Sequence, residues 1–353
     1  MCLEEAHEDD AERAVRAGLA ITAAVARLEG GGAPLGCRVG IATGLVVVGD
    51  LVGQGAVQEE AVVGETPNLA ARLQALAPPG QVVVAGSTRR LIGDLFDLDE
   101  LGARPLKGVD EPVPLFTVRG ERRLESRFAA RAGGASMTPI VGREQELALL
   151  RERWQQAKAG EGQMVLLGGE AGIGKSRITE ALVQELSEEP HTRIRYQCSP
   201  YHGDSALWSV IQQLGHAAGF VAGEPNEARL DKLEVLLARG VAAPQGVAPL
   251  FATLLGIDGD LRYGRLELTP QQRRNRTLQA LIDQLIGLAA PQPVLLVLED
   301  AHWIDPTTLE MLESALDRVA GARVLMLVTA RPTFSHGFGG HPNPKLGRRS
   351  ASR

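Results

Sequence analysis

The chain has 353 residues, of which 44% are hydrophobic and 23% charged, as is typical of globular protein with room for two domains. Its net charge of −6 at pH 7 argues against a general affinity for nucleic acid or acidic membranes. Three widely spaced cysteines predict neither a disulfide framework nor a zinc site, and no apolar run is long enough to span a bilayer. We therefore expect a cytoplasmic protein with no nucleic-acid or membrane partner.

An acidic N-terminal segment leads into a helix that the sequence predicts over residues 11–28. Apolar side chains recur there at three- and four-residue intervals, and charged ones such as Glu12 and Arg16 lie between them. We interpret the preceding carboxylates as charges that favour the positive end of the helix, and not as a metal site.

Three β-rich runs follow, at residues 38–42, 45–48 and 61–63. A second helix is then predicted, with Thr66 as its N-cap and Pro67 as its first residue. Asn68 and Arg72 are four residues apart on that helix and therefore share a face. Their spacing alone favours a solvated face.

These segments resemble the class III adenylate and guanylate cyclases. The resemblance is carried by HEDDAERA at residues 7–14, VGIATG at 39–44, GETPNLAAR at 64–72, PG at 79–80 and LKGV at 106–109. It implies an α+β, ferredoxin-like domain over residues 1–118. By this resemblance Asn68 orients the ribose, Arg72 stabilises the transition-state charge and Lys107 contacts the triphosphate. Ala61 occupies the position that helps to choose the purine, so adenine and guanine both remain open.

The match to the cyclases is incomplete at one point. Cyclases of this class use two metal-binding aspartates upstream of the acidic helix, and we expect both to be missing from these 353 residues, as in a truncated or mis-started reading of a longer gene. Without them nothing holds the two Mg²⁺ ions that the reaction needs. Because the family builds its active site between two cyclase domains, the alternative is that residues 1–118 complete a site with a cyclase-domain dimer partner.

Residues 119–138 are first basic and then rich in alanine and glycine, which predicts a linker. Apolar runs at residues 164–167, 294–298 and 323–331 then predict buried strands of a parallel sheet, and RIRYQC at residues 193–198 predicts a further strand. The sequence GEAGIGKS at residues 169–176 lies between the first of these runs and a helical pattern. This order is typical of a loop whose N–H groups surround phosphate oxygens, with Lys175 reaching the terminal phosphates and Ser176 binding Mg²⁺.

Residues 139–332 resemble the signal-transduction ATPases related to the AAA class. The resemblance rests on VGRE at residues 141–144, the phosphate loop, LEDAHWID at 298–305 and TAR at 329–331. It implies ATP and Mg²⁺ as cofactors, Glu299 as the magnesium-side acid and Asp300 as the residue that polarises water, although the two roles could be exchanged. Arg331 would sense the γ-phosphate. The residues assigned to cofactor binding are Val141, Gly142, Arg143, Gly169, Gly172, Gly174, Lys175, Ser176 and Arg331, and the metal ligands are Ser176 and Glu299.

His302 and Trp303 lie beside the acidic strand end, and we interpret them as packing residues. The remaining segment, residues 333–353, has no apolar periodicity and is predicted to be disordered. The family continues here with a helical lid, so we expect a second truncation or a frame change near Thr333.

The sequence thus predicts an α/β protein with an incomplete cyclase domain and a P-loop parallel-sheet domain. Its predicted function is that of an ATP-binding signalling protein with an adenylate cyclase-like module, inactive on its own, and a slow ATP- and Mg²⁺-dependent switch ATPase. A non-catalytic, nucleotide-controlled regulatory or interaction module is the alternative, so enzymatic activity remains open.

We expect that a purified polypeptide of these 353 residues makes no cyclic nucleotide, because it lacks both metal-binding aspartates of the cyclase family. The measurement is cyclic AMP formation from ATP with Mg²⁺ or Mn²⁺. Formation of cyclic AMP above the protein-free control would contradict the expectation.

Overall fold

The computed structural model describes residues 10–30, 33–50, 60–107, 111–122, 140–221, 223–334 and 347–350. The chain divides into two compact units, residues 1–137 and 138–353. Both units mix helices with strands, so the predicted α/β fold class is confirmed. Among the described residues, no helix combines the length and the apolar character that a bilayer crossing requires.

The first unit is built on a four-stranded sheet with the order β3-β6-β8-β7. Strand β3 runs parallel to β6, and the other two pairs are antiparallel. Strands β1 and β2 pair with each other, as do β4 and β5. The strands β1–β8 are Glu29–Gly30, Ala33–Pro34, Arg38–Ile41, Val47–Asp50, Glu60–Val63, Gln81–Ala85, Phe96–Arg104 and Val113–Glu121, and the helices α1–α3 are Asp10–Val25, Glu65–Leu76 and Gly86–Ile92.

Apolar residues cover both faces of this sheet. Val82 and Val84 of β6 lie in one apolar cluster with Val15 of α1, and Val83 lies in a second cluster with Leu73 of α2. Successive side chains of a strand point to opposite faces, which is why one apolar strand can serve two cores. Helix α2, which carries Asn68 and Arg72, is therefore fixed on the face opposite α1.

Three local predictions for this unit differ from the structure. Helix α1 ends at Val25, three residues before the predicted end. Helix α2 begins at Glu65 with Gly64 as its N-cap, and the hydroxyl of Thr66 donates a hydrogen bond to the carbonyl oxygen of Leu45 at 2.9 Å. Strand β8 continues to Glu121, so the first residues of the predicted linker belong to the sheet. Most of that linker lies outside the described residues.

Helix α2 approaches the sheet at Gly40 more closely than any side chain would permit. A Cβ at Gly40 would lie 2.3 Å from the amide nitrogen of Gln74 and 2.4 Å from the carbonyl oxygen of Ala70. Both are backbone atoms of the helix and cannot turn aside as a side chain can. The glycine in the VGIATG motif therefore sets the distance between α2 and β3.

The second unit contains a parallel five-stranded sheet with the order β10-β11-β12-β9-β13. Every side chain of β11 and β12 is buried, as expected for central strands of a parallel sheet. The strands β9–β13 are Gln163–Gly168, Thr192–Gln197, Val294–Glu299, Val324–Ala330 and Gly347–Ser350, and the helices α4–α11 are Glu144–Lys158, Lys175–Glu185, Trp208–Ala217, Asn226–Leu237, Pro244–Leu254, Asp260–Tyr263, Pro270–Leu288 and Pro306–Val319.

Helices lie on both faces of the second sheet. Leu150 of α4 and Leu182 of α5 pack in one apolar cluster with Val297, whereas Leu281 of α10 and Leu312 of α11 belong to the cluster on the other face. The four runs that the sequence predicts to be strands are confirmed as β9 to β12.

The tail differs from its prediction at one place. Four of its residues, Gly347–Ser350, form strand β13 and pair in parallel with β9. Residues 335–346 and 351–353 lie outside the described residues, so the rest of the predicted disordered tail stays a prediction.

We expect Gly40→Ala to destabilise the first unit by about 1–3 kcal/mol, because the added methyl group must push α2 away from β3. Amide hydrogen exchange across α2 should report the loss as faster exchange. The matched control is Gly120→Ala in strand β8, where a Cβ would meet no atom within 4 Å. Equal protection of α2 in both variants would contradict the prediction.

Candidate functional site

The loop at residues 169–176 joins the carboxyl end of β9 to helix α5, which begins at Lys175. Gly172 and Gly174 have φ angles of 76° and 96°, in the left-handed region that favours glycine. The turn brings the loop to the N-terminus of α5, whose first N–H groups have no partner within the helix. A helix end of this kind binds anions, and phosphate is the most common of them.

Lys175 faces its own loop at the start of α5. Its ammonium group donates hydrogen bonds to the carbonyl oxygens of Gly169 at 2.7 Å and Glu170 at 2.8 Å. Burial lowers the pKa of Lys175, the nearby carboxylate of Asp300 opposes that shift, and the positive charge of Arg331 adds to it. Asp300 and Arg331 therefore both lie within electrostatic reach of Lys175, although the three residues come from separate elements.

The segment before α4 is attached to the same loop. One terminal nitrogen of Arg143 donates to the carbonyl oxygen of Ile173 at 2.9 Å, and the other donates to Glu146 at 2.9 Å. Gly142 has a φ of 76°, and its N–H donates to the carboxylate of Glu144 at 3.0 Å. Val141 is 84% exposed. The structure thus brings Arg143 against the phosphate loop. The apolar side chain of Val141, two residues before Arg143, stays exposed.

Asp300 follows strand β11 in an unusual backbone conformation. Its φ of 56° lies in the left-handed region, which is uncommon for a residue with a side chain and occurs mainly at functional sites or turns. Two contacts hold it there: its N–H donates to the hydroxyl of Thr329 at 3.1 Å, and its carboxylate accepts from the amide of Gln197 at 3.2 Å. Residues of both neighbouring strands therefore hold Asp300: Thr329 binds its backbone and Gln197 binds its carboxylate.

Glu299 is the last residue of β11, and only 3% of it is exposed. Arg195 of β10 lies beside it, with 4.0 Å between the Nε atom of Arg195 and a carboxylate oxygen of Glu299. Arg195 also donates to Glu180 of α5 at 2.9 Å. A buried carboxylate needs a compensating charge, and Arg195 shares its charge between Glu299 and the closer Glu180.

Sequence reasoning missed Arg195, Gln197 and Thr329, which hold the two acids. A signal for the first two exists in β10, where Ile194 and Tyr196 are buried on one face and the alternate residues are polar. Polar side chains on the other face of a strand, up to its carboxyl end, are consistent with a polar site at that end of the sheet.

Arg331 follows strand β12, and its guanidinium lies over the indole ring of Trp303, 5.4 Å from the ring centroid. The imidazole of His302 packs against the same indole with 4.2 Å between the ring centroids. Burial lowers the pKa of His302 to about 4, and the positive charges of Arg331 and Lys175 contribute to the shift. His302 is therefore neutral at pH 7 and lies within electrostatic reach of both basic groups.

The donor set fits a magnesium ion that is held together with a nucleotide. The described residues contain no group of three or more His, Cys, Asp or Glu side chains arranged to hold a metal by themselves. Mg²⁺ characteristically binds one or two protein oxygens together with phosphate oxygens and water. The hydroxyl of Ser176 and the carboxylate of Glu299 are oxygen donors of the required kind.

Two family models match the chain. The model described as "AAA ATPase domain" matches residues 139–328, and the model described as "Adenylate and Guanylate cyclase catalytic domain" matches residues 1–120. The chain belongs to the AAA ATPase domain family. A cyclase catalytic domain precedes the AAA domain, and the resemblance to both families is confirmed.

One curated protein and two solved structures are similar to this chain over the following ranges. An uncharacterized protein of Rhizobium meliloti (strain 1021) is 32% identical over 341 residues, which cover 96% of this chain and 32% of that protein. The chain therefore spans about a third of the length of this relative. The guanylate cyclase domain of RhGC from Catenaria anguillulae, solved with GTP, is 25% identical over 34% of this chain and 65% of its own, with a TM-score of 0.32. The adenylyl cyclase CyaB from P. aeruginosa is 28% identical over 34% of this chain and 63% of its own, with a TM-score of 0.29.

Asp305 organises the segment that follows the two acids of the AAA domain. It caps helix α11, where one carboxylate oxygen accepts from the N–H groups of Thr307 at 3.1 Å and Thr308 at 2.9 Å. The same oxygen accepts from the N–H of Leu207 at 3.0 Å. Leu207 is buried and has a φ of 58°, so the cap also holds an unusual backbone conformation before α6.

In the cyclase domain, the structure places Asn68 and Arg72 on one face of α2, as the spacing predicts. Asn68 is exposed and Arg72 is half-buried. Lys107 is exposed three residues after the end of β7, and in the part of the chain that the structure describes no hydrogen bond or ion pair joins it to the other two. The side chain of Ala61 lies outside the described set. Roles for these residues stay predictions.

We expect the AAA unit to lose stability as the pH falls from about 6.5 toward 4, in part through His302. The folded-state pKa of about 4 lies below the ordinary 6.5, so in this window the unfolded chain binds the proton more tightly and unfolding is favoured. His302→Gln should reduce the loss of unfolding free energy between pH 7 and pH 5 by roughly 1–2 kcal/mol, allowing for partial exposure. Urea unfolding followed by tryptophan fluorescence measures this, because all three tryptophans lie in residues 138–353.

The control compares the same two proteins between about pH 8 and about pH 9, above the pKa of His302 in both the folded and the unfolded chain. The difference in unfolding free energy between His302→Gln and the wild type should stay constant there. An unchanged pH dependence in His302→Gln would show that the ring is not held neutral by its surroundings.

Proposed function

We propose that the AAA domain of this chain binds ATP with Mg²⁺ and acts as a nucleotide-controlled switch linked to the cyclase catalytic domain. The observation that carries the proposal is the convergence on Lys175 of three features: a glycine loop at a helix N-terminus, the carboxylate of Asp300 and the guanidinium of Arg331. A polyphosphate with its metal ion is the ligand whose charges complement this set.

Each predicted site residue has a role in this proposal. The loop glycines Gly169, Gly172 and Gly174 allow backbone N–H groups to face the phosphates, and Lys175 exchanges its loop carbonyl partners for phosphate oxygens. Ser176 and Glu299 hold the metal, which neutralises phosphate charge when it is bound. The roles of the remaining residues are adenine-side contacts for Val141, Gly142 and Arg143, orientation of water for Asp300, and contact with the γ-phosphate for Arg331.

Slow hydrolysis is the turnover that we propose for this site. Asp300 is held by Thr329 and Gln197, so its carboxylate is oriented and could accept a proton from an attacking water. Glu299 and Asp300 could exchange their roles, because they are adjacent at the same strand end. The alternative is a purely regulatory module, in which bound nucleotide controls association with a partner and no phosphate is released.

For the cyclase domain, we propose the role that its residues have in an adenylate cyclase-like site. Asn68 would orient a ribose, Arg72 would stabilise transition-state charge and Lys107 would contact the triphosphate of a nucleotide. The support is their placement: Asn68 and Arg72 share one face of α2, and Gly40 fixes the height of that helix above the sheet. A second cyclase domain is the partner that would complete the site, and the choice between adenine and guanine remains open.

We expect Lys175→Ala to weaken binding of Mg²⁺-ATP roughly ten- to a hundredfold, because the variant loses a hydrogen bond between charged groups and a loss of that size in free energy lowers the affinity by this factor. Equilibrium titration with a fluorescent ATP analogue measures the affinity. The matched control is Lys232→Ala, because Lys232 also donates to a backbone carbonyl, that of Gly219 at 2.9 Å, but lies on α7. Equal affinities in the two variants would contradict the proposed site.

A phosphate-release assay on the same proteins separates the two forms of the proposal. Release that depends on Lys175 and Asp300 supports a slow ATPase. Tight binding without release supports the regulatory module.

A further inference from the structure

The side chains of Trp303 and Arg331 are brought together by two paired strands. Trp303 lies in the short 3-10 turn Ala301–Trp303 after β11, and Arg331 directly follows β12, the parallel neighbour of β11. The two residues are 28 positions apart in sequence but extend from the same edge of the sheet. Their contact, with the guanidinium carbon 5.4 Å from the indole centroid, is within the distance at which a cation is attracted to an aromatic face.

Trp303 is held in place more firmly than Arg331. Its backbone N–H donates to the carbonyl oxygen of Asp300 at 2.9 Å, and its partly buried indole ring packs against the apolar cluster on one face of the sheet. His302 packs against the same ring. Arg331 is exposed, and a free arginine side chain at a strand end would sample many rotamers. The indole of Trp303 thus provides a fixed surface on which the exposed guanidinium of Arg331 is held in one position.

The guanidinium lies near the nucleotide site while it rests on the indole. Arg331 directly follows Ala330, whose carbonyl oxygen accepts a hydrogen bond from the N–H of Gly169 in the phosphate loop at 3.2 Å. The charge of Arg331 also contributes to lowering the pKa of Lys175 and of His302. Lys175 in turn contacts the phosphate loop. The stacked position of Arg331 is therefore compatible with reaching a terminal phosphate.

We propose that Trp303 is a positioning residue that holds the guanidinium of Arg331 toward the nucleotide, and that through Arg331 it raises the preference of the site for ATP over ADP. This inference rests on the proposed nucleotide function and adds to it a residue that the sequence assigns only to packing. The inference requires that replacing Trp303 no longer change the preference for ATP over ADP once the guanidinium of Arg331 is absent. A tryptophan with a purely structural role would change the affinities for ATP and ADP by the same factor.

The test is a double-mutant cycle on the full chain, with binding of ADP and of a non-hydrolysable ATP analogue measured at equilibrium in Mg²⁺. Trp303→Leu should reduce the preference for the ATP analogue over ADP roughly two- to fivefold, the range that a cation–π contact near the surface supports. Trp303→Phe keeps an aromatic face and should retain most of the preference. In the Arg331→Gln background, Trp303→Leu should have no further effect.

The matched control is Trp208→Leu, whose indole stacks on His202 with 4.0 Å between the ring centroids. It should leave the preference unchanged. An unchanged preference in Trp303→Leu, or equal effects of Trp303→Leu with and without Arg331, would overturn the inference while leaving nucleotide binding in place. Failure of the wild-type chain to bind either nucleotide would overturn the proposed function and this inference with it.

Discussion

The parallel register of β11, β12 and β9 is the constraint on which the candidate nucleotide site depends. Because these strands are neighbours and run in the same direction, the residues that follow them, Asp300, Arg331 and Gly169, meet at one edge of the sheet. The N–H of Gly169 donates to the carbonyl oxygen of Ala330 at 3.2 Å and so joins the phosphate loop to the end of β12. Burial of β11 and β12 on both faces keeps this edge rigid.

Charge compensation explains the polar residues around that edge. Glu299 is buried beside Arg195, and Arg195 is tied to Glu180 on the helix that starts at the phosphate loop. His302 stays neutral because burial and two nearby cations disfavour its charged form. The result is a site with two acids beside strand residues, one basic group that contacts the loop and one that rests on an indole ring. Such an arrangement keeps polar side chains oriented before any ligand arrives.

Sequence reasoning reached the strands and the loop because their signals are local. A continuous apolar run predicts a buried parallel strand, and the glycine spacing at residues 169–176 predicts the loop. It did not reach Gln197 and Thr329, because their contacts with Asp300 cross between neighbouring strands from 103 and 29 residues away. Residue type favours Thr66 as the N-cap of α2. In the structure its hydroxyl donates instead to the carbonyl oxygen of Leu45, a contact with a distant part of the chain that residue type does not indicate. Strand β13, Gly347–Ser350, contains no apolar residue apart from glycine, so no hydrophobic pattern in the sequence indicates it.

The hydrogen bonds of Asp305 have a mechanical consequence. One carboxylate oxygen serves the first turn of α11 and the backbone of Leu207, 98 residues away, so the segments after β10 and β11 share a single anchor. Loss of that one carboxylate would remove both the cap of α11 and the hydrogen bond that holds Leu207 before α6. Asp305 lies five residues beyond Asp300 in sequence, so the two segments share their anchor close to the acidic strand end.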